Sequence, residues 1–272
     1  IEVESVWDEE AQEKAALLAL QGEAIGSYNR GVCAIWGDGS NPRFSQRVLE
    51  IKGEQRGGPL AASISTRRFV DMLDLSKISP SIHDIVINAE NLAKITGSLC
   101  FFRAPITEEA ARKVPPSMLS RLSNGTPILQ NWDADGHLPT MALLKKMSKH
   151  GIEFPGVTSM NPTSMPEIVN EDDAIAFCTE RGIPLFLRDP KDPRKVKGSY
   201  TILHIDEEGI KLVREGNIPA RLLSRLLKKP IIETGDTKSP KHQQAIFPED
   251  KIFAHEDPSK GREAIIEFIT TP

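Results

Sequence analysis

The chain has 272 residues, 39% of them hydrophobic and 26% charged, with a formal net charge of −4. This is an ordinary globular composition; it excludes a strongly basic nucleic-acid protein but leaves room for a local basic groove. No apolar run approaches the ~20 residues of a membrane span, and the acidic start IEVESVWDEE lacks the pattern of a secretory leader, so a cytoplasmic protein without a membrane partner is expected.

Residues 8–21 predict a helix with acids in its first turn and Gly22 after its end. Small and apolar residues over 23–36 predict one or two short strands around Asn29-Arg30-Gly31. Ser40-Asn41-Pro42 puts a capping side chain before a first-turn proline, and Phe44, Val48, Leu49 and Ile51 form an apolar stripe running to Lys52. Strands are expected over 59–64, 98–103, 127–130, 154–159 and 183–187, and helices over 66–74, 80–93, from Thr107, over 139–150 and over 170–181. The charged run 188–197 reads as a solvated loop or as a lid, and 200–205 with 210–213 as a hairpin. A helix is expected from Pro219 to Lys228, then a polar loop over 234–244, a short strand over 251–254 and a helix over 259–270. Mixed strands and helices throughout predict an α/β fold. Residues 1–228 are read as one domain, and 229–272 as a C-terminal extension docked on it, too small to fold alone.

Cys33, Cys100 and Cys178 are widely spaced, with no CxxC or Cys/His cluster, which argues for buried free thiols rather than structural zinc. His83, His137, His150 and His204 have no partner at ligand or triad spacing and read as surface or core imidazoles. Glu171-Asp172-Asp173 reads as the acids of a first helical turn, so no metal site is predicted. Gly57-Gly58 lacks the Gly-Lys-Ser/Thr ending of a Walker loop. The sequence names no catalytic residue.

Two polar islands carry the functional signal. The segment Val157 to Pro166 leaves an apolar run with Ser159, Asn161 and two prolines, which frees hydroxyl and amide groups for a ligand. The segment Lys52 to Leu60 lies a hundred residues earlier and contributes Lys52 and Arg56. Together they point to a nucleotide site. Each has a plainer reading as well. Lys52 fits a cation at a helix C-terminus, Arg56 a solvated turn residue, Ser159 and Asn161 turn and capping groups, and Arg214 a surface ion pair.

The order Asn41-Pro42, Ile51-Lys52-Gly53, Gly58-Pro59-Leu60, Gly97-Ser98-Leu99, Ser159-Met160-Asn161 and Ile210 to Ile218 resembles the YrdC family of threonylcarbamoyl-adenylate synthases over about residues 20–228. The family patterns are NP…IKGRP…PL, a G-P-L strand entry, APSANxSGxP and STVVDL…ILRPGAI. The resemblance implies a twisted open mixed sheet with helices packed on it, a YrdC/DHBP-synthase-like architecture. It implies an ATP-dependent nucleotidyltransferase that forms a carbamoyl-adenylate for tRNA modification, using ATP with Mg2+ and no protein-bound metal. A small carboxylate or amino acid would be the acceptor, with room left for tRNA or RNA contact. Lys52, Arg56, Ser159, Asn161 and Arg214 would then hold the nucleotide, and Asn29 and Arg30 would line the acceptor pocket.

Several positions depart from the pattern. Glu54 stands where the K-x-R element has its arginine, and the segment Tyr28 to Ile35 keeps neither the threonines nor the aspartate of PTDTVYGL. The serine of STV falls on Tyr200, or on Ser199 with one inserted residue, and an expected arginine is replaced near Gln130-Asn131-Trp132. These changes describe a divergent member with an altered acceptor, or alternatively an inactive RNA- or nucleotide-binding module.

Overall fold

The computed structural model describes residues 1–53, 58–192 and 195–271. Its strands in chain order are β1 (Glu2–Ser5), β2 (Ile25–Asn29), β3 (Val32–Asp38), β4 (Ala61–Ala62), β5 (Cys100–Pro105), β6 (Leu119–Arg121), β7 (Pro127–Asn131), β8 (Pro155–Ser159), β9 (Leu185–Arg188), β10 (Thr201–Asp206), β11 (Gly209–Arg214) and β12 (Ile231–Lys238). They join one sheet in the order β1-β9-β2-β3-β8-β4-β7-β5-β10-β11-β12, with β6 paired to β7. Parallel and antiparallel pairs both occur, so the chain forms the expected α/β fold with a mixed, twisted sheet. Among the described residues, no helix is long and apolar enough to cross a membrane.

Local chemistry explains most element ends. Asp8 accepts from Glu10 N at 2.8 Å and starts the helix Glu9–Leu20. Asn41 accepts from Arg43 N at 3.0 Å ahead of the helix Pro42–Lys52. That helix buries Phe44, Val48 and Ile51, whereas Leu49 of the expected stripe faces outward. Phe44 lies so close to β3 that a Cβ on Gly37 would sit 2.3 Å from its ring, so glycine there lets helix and sheet touch. Burying a ring of this size stabilises the fold by about 1.5–3 kcal/mol. The β2–β3 hairpin turns on Arg30 (φ 39°) and Gly31 (φ 92°), the left-handed pair of a tight two-residue turn.

Some expectations fail for identifiable reasons. The strand over 59–64 shortens to Ala61–Ala62. The helix over 80–93 breaks into Pro80–Ile82, His83–Val86 and Ala89–Thr96, because Asn88 caps a new start by accepting from Asn91 N at 2.9 Å. Much of the polar stretch from Thr234 is strand β12, recruited parallel to β11 at the sheet edge. The strand expected over 251–254 is replaced by the helix Glu249–Ile252, which follows Pro248 and has acids in its first turn. β1 and β6 were not anticipated, and β1 joins only through β9 (Glu2 opposite Leu185).

The last helix, Pro258–Thr270, packs on the helices Ala89–Thr96 and Ala220–Leu227. Arg262 fixes it there: its Nε donates to Gly97 O at 3.0 Å, and its guanidinium lies 3.0 Å from the Asp135 carboxylate.

Candidate functional site

β3 and β8 run antiparallel with Ala34 opposite Ser159 and Trp36 opposite Val157. Side-chain alternation therefore puts Val32, Ala34, Trp36, Val157 and Ser159 on one face. Trp132 follows β7, Phe101 lies on β5, and Ser199 and Tyr200 lead into β10. Together these residues line a hollow that Asn29 borders. The rings fill most of it: Trp132 and Tyr200 lie 5.4 Å apart, and Trp36 meets Trp132 edge-on at 6.1 Å. The remaining space is about 30 Å3, enough for a single water.

Cations stand one hydrogen bond behind both walls. Lys52 ends its helix with its Nζ donating to Ser159 O at 2.6 Å and to Asn161 Oδ1 at 3.1 Å. Ser159 Oγ also donates to Asn161 Oδ1 at 2.6 Å, while Asn161 Nδ2 donates to Pro162 O at 3.0 Å and to Met165 O at 2.7 Å. On the other wall, Arg214 donates to Ser199 Oγ at 2.7 Å and to Tyr200 O at 2.9 Å. It also lies 3.7 Å from the buried Glu167 carboxylate. Burial lowers the Arg214 pKa and Glu167 opposes the shift; a guanidinium stays charged regardless. The segment after β12 reaches the same corner, where Lys241 Nζ donates to Met165 O at 3.0 Å and His242 lies 3.7 Å from Glu167.

Burial pushes the Tyr200 phenol above its ordinary value while the charge of Arg30 opposes the shift, so Tyr200 is a neutral donor, reaching Asn29 O at 3.4 Å. In the amide orientation that satisfies both its groups, Asn29 accepts from Trp36 Nε1 at 3.2 Å and donates to Thr140 Oγ1 at 3.3 Å. Among the described residues, no imidazole or thiol lines the hollow. All three cysteines are buried, with the Cys178 thiol pushed up to about 12 and Cys100 higher still by burial. Thiols raised in this way are poor nucleophiles, and the polar groups that line the hollow are the hydroxyls of Thr158, Ser159, Ser199 and Tyr200 and the amide of Asn29.

The structure thus brings Lys52, Ser159 and Asn161 together, and Arg214 reaches the same hollow through Ser199. Asn29 is at its border, whereas Arg30 lines a different cavity. Arg56 and Glu54 lie outside the described residues. Trp36 and Glu167 were not singled out from the sequence. Trp36 shares a period-two alternation with Val32 and Ala34, but only the register on β8 brings it to Val157 and Ser159.

No protein-family profile matches the chain, and no curated protein matches it by sequence. Solved structures do match in shape. One structure of Sua5 from P. abyssi superposes with a TM-score of 0.64 at 17% identity, over 85% of this chain and 65% of that one. Another, complexed with L-threonine, gives 0.65 at 16% identity, over 91% of this chain and 69% of that one. E. coli YciO gives 0.54 at 15% identity, over 79% of this chain and 93% of that one. Full-length HypF in a phosphate- and nucleotide-bound form gives 0.53 at 14% identity, over 75% of this chain and 28% of that one. The chain therefore shares the YrdC-like fold of these proteins; at such identities the likeness establishes architecture and not activity.

Proposed function

We propose that the hollow is a nucleotide site and that the chain is a divergent YrdC-like nucleotidyltransferase, which uses ATP with Mg2+ to form a carbamoyl-adenylate. One observation carries this reading: Ser159 and Ser199 line the same hollow, with Lys52 behind the first and Arg214 behind the second. On this reading, Lys52 and Arg214 trade their present acceptors for phosphate oxygens and stabilise charge at the α-phosphate. Ser159 and Ser199 orient the nucleotide, and Trp132 or Tyr200 offers a ring for base stacking. Among the described residues, no group of three His, Cys, Asp or Glu could hold a metal, so magnesium would travel on the phosphates. The L-threonine and nucleotide held by the Sua5 and HypF structures make an amino acid or small carboxylate the natural acceptor class.

The remaining volume favours a second reading. A space of about 30 Å3 does not take a nucleobase unless side chains move, and Lys52 and Arg214 are already engaged. A module that binds nucleotide or RNA without turnover satisfies both facts. Pyrophosphate release from ATP, bicarbonate and a panel of amino acids separates the readings. Release that depends on bicarbonate and on one acceptor supports the enzyme. Saturable ATP or tRNA binding without release supports the module, and tRNA binding should then weaken steeply with salt. If the full chain binds neither ATP nor tRNA, both readings fail.

A further inference from the structure

A second cavity, of about 330 Å3, shares no lining residue with the hollow. Its apolar walls are Trp7, Leu138, Pro139, Ile266 and Ile269, and Arg30 reaches it from the β2–β3 turn. Arg30 is only 6% exposed. Its guanidinium is anchored by donating to Ser98 Oγ at 3.1 Å and to Gly136 O. Those neutral acceptors fix the group without balancing its charge, and among the described residues no carboxylate comes within ion-pair distance of it.

Asp189 and Asp192 are also on the wall, but Asp189 Oδ1 is turned toward Trp7 Nε1 at 2.8 Å and Lys191 N at 3.0 Å. The Lys191 ammonium sits 3.8 Å over the Trp7 ring.

A further feature biases this space toward an anion. The twelve-residue helix Leu138–Lys149 begins in it, and no side chain caps the first turn, so the positive end of the helix is left to the cavity. A buried charge with no ion pair among the described residues costs stability, and an anion that pairs with it recovers part of that cost.

We propose that this cavity binds a small organic monocarboxylate with an apolar body. The carboxylate lies between the Arg30 guanidinium and the start of the helix Leu138–Lys149, and the body lies against Leu138, Pro139, Ile266 and Ile269. A single negative charge suits the site better than two, because Asp189 and Asp192 on the wall repel a dianion about twice as strongly as a monoanion while Arg30 offers one cation. The site does not rest on the nucleotide reading.

The test titrates the full chain with isocaproate, its neutral amide and inorganic phosphate, read by calorimetry and by the fluorescence of Trp7 in the wall. Isocaproate should bind saturably, and the amide and phosphate about tenfold more weakly or less. Arg30→Gln should weaken isocaproate about tenfold or more. Leu138→Trp, at a position 65% exposed and therefore tolerant of substitution, should block the cavity with the same result and carries the test alone if Arg30→Gln does not fold. Absence of saturable binding, equal binding of the amide, or unchanged affinity in Leu138→Trp overturns the proposal.

Discussion

Asn29 and Arg30 are neighbours in the chain, yet they belong to two cavities of opposite character. The hollow beside Asn29 keeps about 30 Å3, and the cations behind its walls are bound to a carbonyl, an amide, a hydroxyl and a carboxylate. The cavity at Arg30 keeps about 330 Å3 and a guanidinium held, among the described residues, by neutral acceptors. In the first, aromatic packing occupies the volume a ligand would use, and each buried ring contributes to stability. In the second, volume is left unfilled, and among the described residues the guanidinium has no ion pair, Asp189 and Asp192 acting on it only at longer range. A filled site binds only after its side chains move, which lowers its apparent affinity by the fraction of time it is open. A preformed site carries no such penalty. On that contrast, a ligand at the hollow must first displace packing that stabilises the fold, whereas one at the cavity need not.

The sharpest way to break that contrast is at Trp132. Trp132→Ala removes the ring that touches both Trp36 and Tyr200 and should lower stability by about 3–5 kcal/mol in chemical denaturation. Trp132→Phe should lose far less, because the indole Nε1 is buried without a hydrogen-bond partner. Equal losses in the two variants would mean that ring packing is not what holds the hollow closed. Lys52→Met should come next, at about 2–3 kcal/mol, since it strips a charged donor from Ser159 O and Asn161 Oδ1. It should abolish ATP binding and leave isocaproate binding intact. Loss of both ligands together would show that the two regions are one site.

The sequence made the locally determined parts of this contrast legible. Asn41 was readable as a cap and the acids after residue 8 as a first helical turn because each acts within one turn of its helix. Lys52, Ser159 and Asn161 were readable because they sit at or just beyond the ends of clear elements. β12 and β1 were not, since each is strand only through a partner from elsewhere in the chain, and a polar edge carries little alternation. Trp36 and Trp132 read as ordinary apolar residues until strand register placed them together. Arg30 was expected to share an acceptor pocket with Asn29, but the cavity it lines is walled by residues near 138 and 266, so its separation from Asn29 was beyond local inspection.

The smallest expected effect asks whether Arg30 acts on its surroundings as an unbalanced charge. His137 is buried at the start of the helix Leu138–Lys149, with Nδ1 2.6 Å from Thr140 Oγ1. Burial, and after it the Arg30 charge, holds this imidazole well below its ordinary value of 6.5. As pH falls through about 6.5, the unfolded chain takes up a proton that the folded protein refuses. The contribution of His137 to stability is therefore full above that pH and is lost as pH falls toward the depressed folded value. Melting temperatures from about pH 7 to about pH 5 should fall most steeply in the unsubstituted protein and least in His137→Gln. Arg30→Gln should fall no more steeply than the unsubstituted protein, because removing the guanidinium takes away the smaller of the two causes and leaves burial in place. A steeper fall in Arg30→Gln would mean that the guanidinium does not oppose the charging of His137, and the electrostatic half of the contrast with the hollow would fail even where the difference in volume stands.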